Sequence, residues 1–341
     1  LAEALSAVAP MPGPHRAFFA NSGTEANEAA LKLAKYATKR HNVIAFLGAF
    51  HGRSMGSLSV TASKVRQRQG FGPLVPGAFH APYPDVYRSG LSADATAAQA
   101  IDFIEQQLFV HLVSPDEVAA VIVEPIQGEG GYIVPEAGFL EGLRRICDTH
   151  GILLVADEIQ SGAGRTGTMW AIEHWAVEPD ILLTAKGIAS GLPLGAMIAR
   201  EELMTAWGPG AHGSTYGGNP LATGVANAVL DELLKPGFID AVASKGEYLK
   251  AQLEGLVKKH PKVYAEQRGM GFLQGLQCTP SVPAGDMVNK LQSLGMLVPP
   301  AGENVVRIFP ALIAEKAALD EGIAILSQAA QSFEAAAKAA E

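Results

Sequence analysis

The stretches GILLVADEIQ (151–160) and DILLTAKGIA (180–189) share one design, an apolar run that ends on a charged side chain. Ile152–Ala156 runs without a polar residue until Asp157, and Asp180–Thr184 leads into Ala185, Lys186 and Gly187. Short strands that are apolar at nearly every position are covered on both faces, as in a parallel sheet flanked by helices. In such sheets ligands gather outside the carboxyl ends of the strands, where Asp157 and Lys186 both fall. Each residue also has an ordinary reading, Asp157 as a helix cap or surface turn and Lys186 as a solvated loop lysine. The pair is suggestive rather than specific.

Outward from these runs, Asn42–Phe46, Ala119–Glu124 and Gly195–Ala199 are further strand candidates, and Glu25–Lys39 and Gly138–Thr149 carry helical patterns between them. The alternation predicts an α/β protein with a mainly parallel sheet. From about Pro236 the texture changes to a long helix (Ile239–Lys259), strands within Val263–Gln277, a helix over Ala284–Leu294, a strand at Val305–Phe309 and an Ala-rich final helix. Residues 1–235 are therefore expected to form a large domain and 236–341 a small α+β domain. The tail Gln328–Glu341 reads as a surface helix that frays.

The chain has 341 residues, longer than one hydrophobic core usually serves. A net charge of −8 gives no electrostatic support for nucleic-acid or anionic-membrane binding. The two cysteines, Cys147 and Cys278, cannot build a disulfide framework, and reduced thiols in a cytoplasmic protein are the simpler reading. No apolar run reaches membrane-spanning length, and no signal peptide or metal-ligand pattern is evident. The chain opens at Leu1 within an Ala-rich helical stretch, so a trimmed N-terminus is expected.

A third segment, NSGTEAN (21–27), opens the helix at Glu25. Helix N-termini present unpaired N–H groups and a positive dipole end to an anion such as phosphate. Gly23 permits close backbone approach, and the Ser22 and Thr24 hydroxyls add donors. The ordinary reading is a simple N-cap. A desolvated lysine amine, a carboxylate that keeps a pyridine nitrogen protonated, and a phosphate cradle are what a pyridoxal-phosphate (PLP) site needs.

With these residues in place the chain resembles the class III aminotransferases, the ornithine/acetylornithine/4-aminobutyrate group of fold-type I PLP enzymes. The resemblance rests on NSGTEANEAALKLA (21–34), AFHGR (49–53), VEPIQGEGG (123–131), LLVADEIQSGAGRTG (153–167), DILLTAKGIASGLPLGA (180–196), HGSTYGGNPLA (212–222) and NVVRIFPAL (304–312). It implies that Lys186 holds PLP as a Schiff base and shuttles the substrate proton, and that Asp157 pairs with the pyridine nitrogen. Gln160 would lie near the ring's phenolic oxygen, Ser22, Gly23 and Thr24 at the phosphate, and Phe50 on the ring face. His51 receives no role. Thr215 would reach the phosphate bound by a neighbouring subunit, which implies a homodimer with shared active sites.

For substrate, the resemblance implies that Arg53 holds a carboxylate distant from the reacting amine and that Arg307 grips the α-carboxylate of glutamate. Glu129 would pair with Arg307 when an ω-amine substrate is bound and release it for glutamate. Bidentate recognition of carboxylates favours arginine over lysine at both positions. The expected reaction is amino transfer between N-acetylornithine and 2-oxoglutarate, in arginine biosynthesis. Ornithine or 4-aminobutyrate is the alternative amine, and a truncated, non-catalytic PLP-binding relative a further alternative. Two departures from the family stand out. Only twenty residues precede NSGTEAN, and GFGPLVPGAFHAPYPDVYR (70–88) resembles the 4-aminobutyrate branch while HGSTYGGNPLA (212–222) and PPAGENVVRIFPAL (299–312) resemble the acetylornithine branch.

The rival readings are weaker. A G-x-G-x-x-G occurs at Gly162–Gly167, but Asp157 and Glu158 lie between it and the strand and would set negative charge against a dinucleotide's phosphates. An aminomutase or racemase would share the lysine and the aspartate, and Glu129 with Arg307 favours transamination.

Overall fold

The computed structural model describes residues 1–340. Seven strands form the large sheet: β1 (His15–Ala20), β2 (Asn42–Phe46), β3 (Ala78–Ala81), β4 (Val118–Val123), β5 (Leu153–Asp157), β6 (Ile181–Thr184) and β7 (Gly195–Arg200). Their order is β1-β7-β6-β5-β4-β2-β3. From β3 to β6 every pairing is parallel, whereas β7 is antiparallel to β6 and β1 antiparallel to β7. The apolar run at Gly195 thus turns back on its neighbour. The connection 185–194 is too short to carry the helical crossover that a parallel partner needs. The antiparallel edge strand β1 and the short β3 had no counterpart in the sequence reading.

Alternation along the central strands explains their continuous apolar character. Ile44, Val121, Leu154 and Leu182 pack on the helix Phe139–His150 side, while Val43, Ala120, Val155 and Ile181 pack with Ala26, Ala30 and Leu33 of the helix Gly23–Thr38. Both faces are covered, so the central strands are apolar at nearly every position before Asp157 and Lys186, with Asn42 at the start of β2 and the buried Thr184 of β6 the polar exceptions.

A second, four-stranded sheet is wholly antiparallel, in the order β10-β11-β9-β8: β8 (Tyr264–Met270), β9 (Leu273–Cys278), β10 (Pro300–Ala301) and β11 (Val305–Ile308). It packs with the helices Phe238–Lys259, Ala284–Ser293 and Lys316–Ala340 around its own apolar cluster, which includes Leu253, Phe272, Met287 and Leu326. The final helix is not only a surface feature. Ala329 and Ala330 are fully buried in that cluster, because small side chains let the helix approach the sheet closely; Glu341 lies outside the described residues. Cys147 and Cys278 are both free and buried. Among the described residues, no helix is long and apolar enough to cross a membrane, and no cluster of His, Cys, Asp and Glu could hold a metal ion.

Candidate active site

Asp157 is the last residue of β5, and Lys186 follows β6, its parallel neighbour, so adjacent strand ends deliver both to one cleft. Lys186 has φ 46°, a left-handed conformation in which a side chain is strained. The residue as a whole is exposed to the cleft. Desolvation by the surrounding protein nevertheless lowers its pKa against the opposing pull of Asp157, Glu124 and Glu129.

Asp157 is 3% exposed and held by three donors. Its Oδ2 accepts from Asn27 Nδ2 at 3.0 Å and pairs with His51 Nδ1 at 2.7 Å, and its Oδ1 accepts from the Ile159 N–H at 3.1 Å. A carboxylate offers about four acceptor positions, so one remains for a further N–H. Burial opposes a charge on His51, but the hydrogen bond and charge of Asp157, with the charge of Glu124, outweigh it and raise the imidazole's pKa. Glu124, also buried, accepts the Phe50 N–H at 3.1 Å and the Gly128 N–H at 3.2 Å. Burial pushes its carboxyl up to about 7, with His51 pulling the other way.

The helix Gly23–Thr38 points its N-terminus into the same cleft. Ser22 is the N-cap, accepting from the Glu25 N–H at 3.4 Å, so its ordinary reading also holds. Thr24 Oγ1 accepts the backbone N–H groups of Arg53 and Ser54, both at 3.2 Å, and thereby fixes the loop that carries Phe50 and Arg53. The glycine beside this cradle is Gly195, where a Cβ would stand 2.3 Å from the Ser22 carbonyl oxygen. Gln160 lines the cleft with its side-chain oxygen buried and, among the described residues, without a hydrogen-bond partner.

A larger cavity of about 1000 Å³ opens on the other side of Lys186 and Gln160. Glu129, Tyr132, Arg165 and Arg307 line its polar part, and Val229, Leu233, Phe238 and Leu312 its apolar wall. Arg307 Nη1 donates to Glu129 Oε1 at 2.8 Å, and Lys64 Nζ stands 3.8 Å from the other Glu129 oxygen. Arg53 lies exposed at the cleft mouth, its guanidinium 5.8 Å from the centre of the Phe50 ring. Among the described residues its side chain makes no ion pair.

The structure therefore gathers Ser22, Gly23, Thr24, Phe50, Arg53, Asp157, Gln160 and Lys186 around one cleft, with Glu129 and Arg307 in the adjoining cavity. Thr215 is apart, exposed on the 212–219 loop and lining neither. Three residues without a role in the sequence reading are central: Asn27, His51 and Glu124. Asn27 carried a faint signal, a poor helix former on a helix face otherwise filled by alanine and leucine. The site fits PLP in its donor set. It offers a helix N-terminus for a phosphate, a buried carboxylate with an unfilled acceptor position for a ring N–H, and a lysine with a lowered pKa.

The family model "Aminotransferase class-III" matches residues 1–330. An acetylornithine aminotransferase of Rhodobacter capsulatus is 40% identical over 323 residues, 93% of this chain and 76% of its relative. That of Bacillus subtilis is 40% identical over 312 residues, 92% of this chain and 74% of the relative. Among solved structures, a taurine:2-oxoglutarate aminotransferase from Bifidobacterium kashiwanohense in complex with PLP and glutamate superposes with a TM-score of 0.89 at 29% identity, covering 97% of this chain and 78% of that one. A PLP-bound amine transaminase from an uncultivated Pseudomonas species gives 0.87 at 32% identity, covering 93% and 77%. Strand-end lysine and aspartate, helix terminus and relatives agree: the chain belongs to the class III aminotransferases and is a PLP-dependent enzyme.

Proposed function

We propose that the chain transfers an amino group reversibly between N-acetylornithine and 2-oxoglutarate, a step of arginine synthesis. The observation that carries this reading is the Glu129–Arg307 ion pair, 2.8 Å long, in the cavity that also holds Lys186. One pocket must accept an ω-amine in one half reaction and an α-amino acid in the other. A guanidinium that is masked by Glu129 for the first and released for the second meets both demands. The relatives named as acetylornithine aminotransferases support the choice of amine.

PLP, when bound, supplies an electron sink for the carbon that loses its proton. The chain supplies the rest. Lys186 Nζ, its pKa lowered by desolvation, takes the proton from the amine-bearing carbon and returns it. Asp157 would keep the ring nitrogen protonated, with His51 and Asn27 holding the carboxylate by hydrogen bonds to Oδ2. Gly23 and Thr24 would hold the phosphate at the helix N-terminus, with Ser22 as cap, and Phe50 and Gln160, which line the same cleft, would serve the ring face and the phenolic oxygen. Arg53 binds the carboxylate remote from the reacting amine. Thr215 serves the neighbouring site in a homodimer, a role that suits its exposed loop. We further propose a division into domains at 235/236, supported by the separate apolar cluster of the second sheet. A cytoplasmic location accords with the two free thiols.

The test is a set of half reactions. PLP-loaded protein is mixed separately with N-acetylornithine, ornithine and 4-aminobutyrate, and the loss of the visible cofactor band is followed. The proposal expects the highest kcat/KM for N-acetylornithine. Faster reaction with either other amine would reassign the substrate, and no reaction with any would remove the ω-amine reading.

A further inference from the structure

Glu129 sits on a glycine-rich turn, Gln127-Gly128-Glu129-Gly130-Gly131, closed at its base by the Gln127–Ile133 bridge and by the Gly131 N–H donating to Gly128 O at 3.2 Å. Contacts from outside the turn add to these. Glu124 takes the Gly128 N–H from one side, and the Gly302 N–H donates to the Glu129 carbonyl at 2.8 Å from the β10–β11 hairpin. The remaining carbonyls meet two arginines. Arg88 Nη1 reaches Gly130 O and Arg268 Nη1 reaches Gly131 O, each at 3.4 Å.

Those arginines share one carboxylate. Asp85 Oδ2 accepts from Arg88 at 2.7 Å and Asp85 Oδ1 from Arg268 at 3.2 Å, while Arg268 Nε also donates to Glu266 at 2.9 Å. Arg268 is 6% exposed and Asp85 9% exposed, so this pair is buried outside the catalytic cleft, with Arg88 exposed at its rim. Asp85 and Arg88 belong to the segment after β3, and Arg268 to β8 of the second sheet. The register adds a further link. Arg268 pairs with Gly275 of β9 on one side, and Arg307 of β11 pairs with the same Gly275 on the other. One row of the sheet thus carries both arginines. Arg307 holds the turn by the Glu129 side chain and Arg268 holds it by the Gly131 carbonyl.

We propose that Asp85, Arg88 and Arg268 are positioning residues of the substrate switch, setting how readily Glu129 surrenders Arg307. This rests on the reading of Glu129 and Arg307 given under Proposed function. Loosening the turn depopulates the closed pair. The ω-amine half reaction, which needs Arg307 masked, then weakens, and the glutamate half reaction, which needs it free, gains. A cluster that only held the fold together would depress both.

The experiment measures both half reactions in the PLP-loaded Arg268→Met, Arg88→Met and Glu129→Gln proteins and in the Arg268→Met/Glu129→Gln double variant. Arg268→Met is expected to raise KM for N-acetylornithine about fivefold and to lower KM for glutamate, with kcat little changed. In the Glu129→Gln background the same substitution is expected to change neither KM. Parallel losses in both half reactions, or an undiminished effect in the double variant, overturn the proposal. Should Arg268→Met not fold, Arg88→Met at the rim carries the same opposed shift at smaller amplitude, and its absence is equally fatal. If Glu129→Gln alone leaves the ratio of the two KM values unchanged, the switch reading fails and takes this inference with it. If that ratio shifts but the arginine variants leave it alone, only the inference fails.

Discussion

Removing the charge of Glu129 should make glutamate bind more tightly, an uncommon outcome for a substitution inside an active site. The ion pair with Arg307 is 2.8 Å long, and the two side chains are 13% and 21% exposed. Coulomb's law at an effective dielectric of about 20 gives roughly 6 kcal/mol of attraction at that distance. Most of this is offset by desolvation, and a charge-assisted hydrogen bond contributes about 1.5–3 kcal/mol net. At about 1.5–2 kcal/mol, Arg307 would be free in roughly 3–8% of molecules, which raises the apparent dissociation constant of an α-carboxylate by roughly 12- to 30-fold. Glu129→Gln keeps a weaker hydrogen bond to the guanidinium, so the expected gain for glutamate is about tenfold, or about 1.4 kcal/mol. The assay is a glutamate titration of the PLP-loaded protein in the absence of acceptor, followed by the loss of its visible band. An unchanged or weaker glutamate constant would refute the masking argument. A parallel gain for N-acetylornithine would show that the substitution only opened the pocket.

Asp157→Asn keeps the side-chain shape but replaces one acceptor oxygen by a donor and removes the charge that holds His51 and would face the cofactor. It is expected to cost about 10²-fold or more in kcat while PLP still binds, and near-normal kcat would refute the role given to Asp157. Glu158 is 1% exposed, and burial pushes its carboxyl up to about 7. The folded protein therefore holds this proton across a window, from the ordinary carboxylate range up to about 7, in which the unfolded chain has lost it. The resulting stability is complete below that window and is lost as pH rises through it, on the order of 3 kcal/mol at most. Urea unfolding of Glu158→Gln should show a flatter fall between pH 5 and 7.5 than the parent, and identical slopes would contradict the assignment. Gly195→Ala sets a Cβ 2.3 Å from the Ser22 carbonyl oxygen, backbone against side chain with nothing flexible to yield. About 1–3 kcal/mol of destabilisation and a weaker hold on PLP should follow, readable by thermal melts and cofactor titration.

The central strands were legible because a sheet covered on both faces favours apolar residues at nearly every position. Asn42–Phe46 appears at its expected limits, and the runs ending at Asp157 and Lys186 do stop at one cleft. β1 was not legible: His15–Ala20 mixes charge, aromatic and alanine, and only its pairing with β7 makes it a strand. The direction of β7 was equally hidden, since apolar character is the same for either sense of pairing. At the site, residues whose motif position implies contact with cofactor or substrate could be named in advance. Residues that act through others could not. His51 and Asn27 matter through Asp157, and Glu124 through two backbone N–H groups that no spacing rule reveals. The stretch 70–88 looked only like a mark of another branch. In the fold its end supplies Asp85 and Arg88 to an ionic cluster formed with Arg268, a residue far away in sequence.

The central claim is that Lys186 is the lysine that carries PLP in a transaminase site. Borohydride reduction of the PLP-loaded protein, followed by peptide mass spectrometry, tests it most directly. The account predicts one stoichiometric pyridoxyl adduct, on Lys186, lost in Lys186→Ala together with amino transfer. An adduct on another lysine, or full amino transfer by Lys186→Ala, would contradict it.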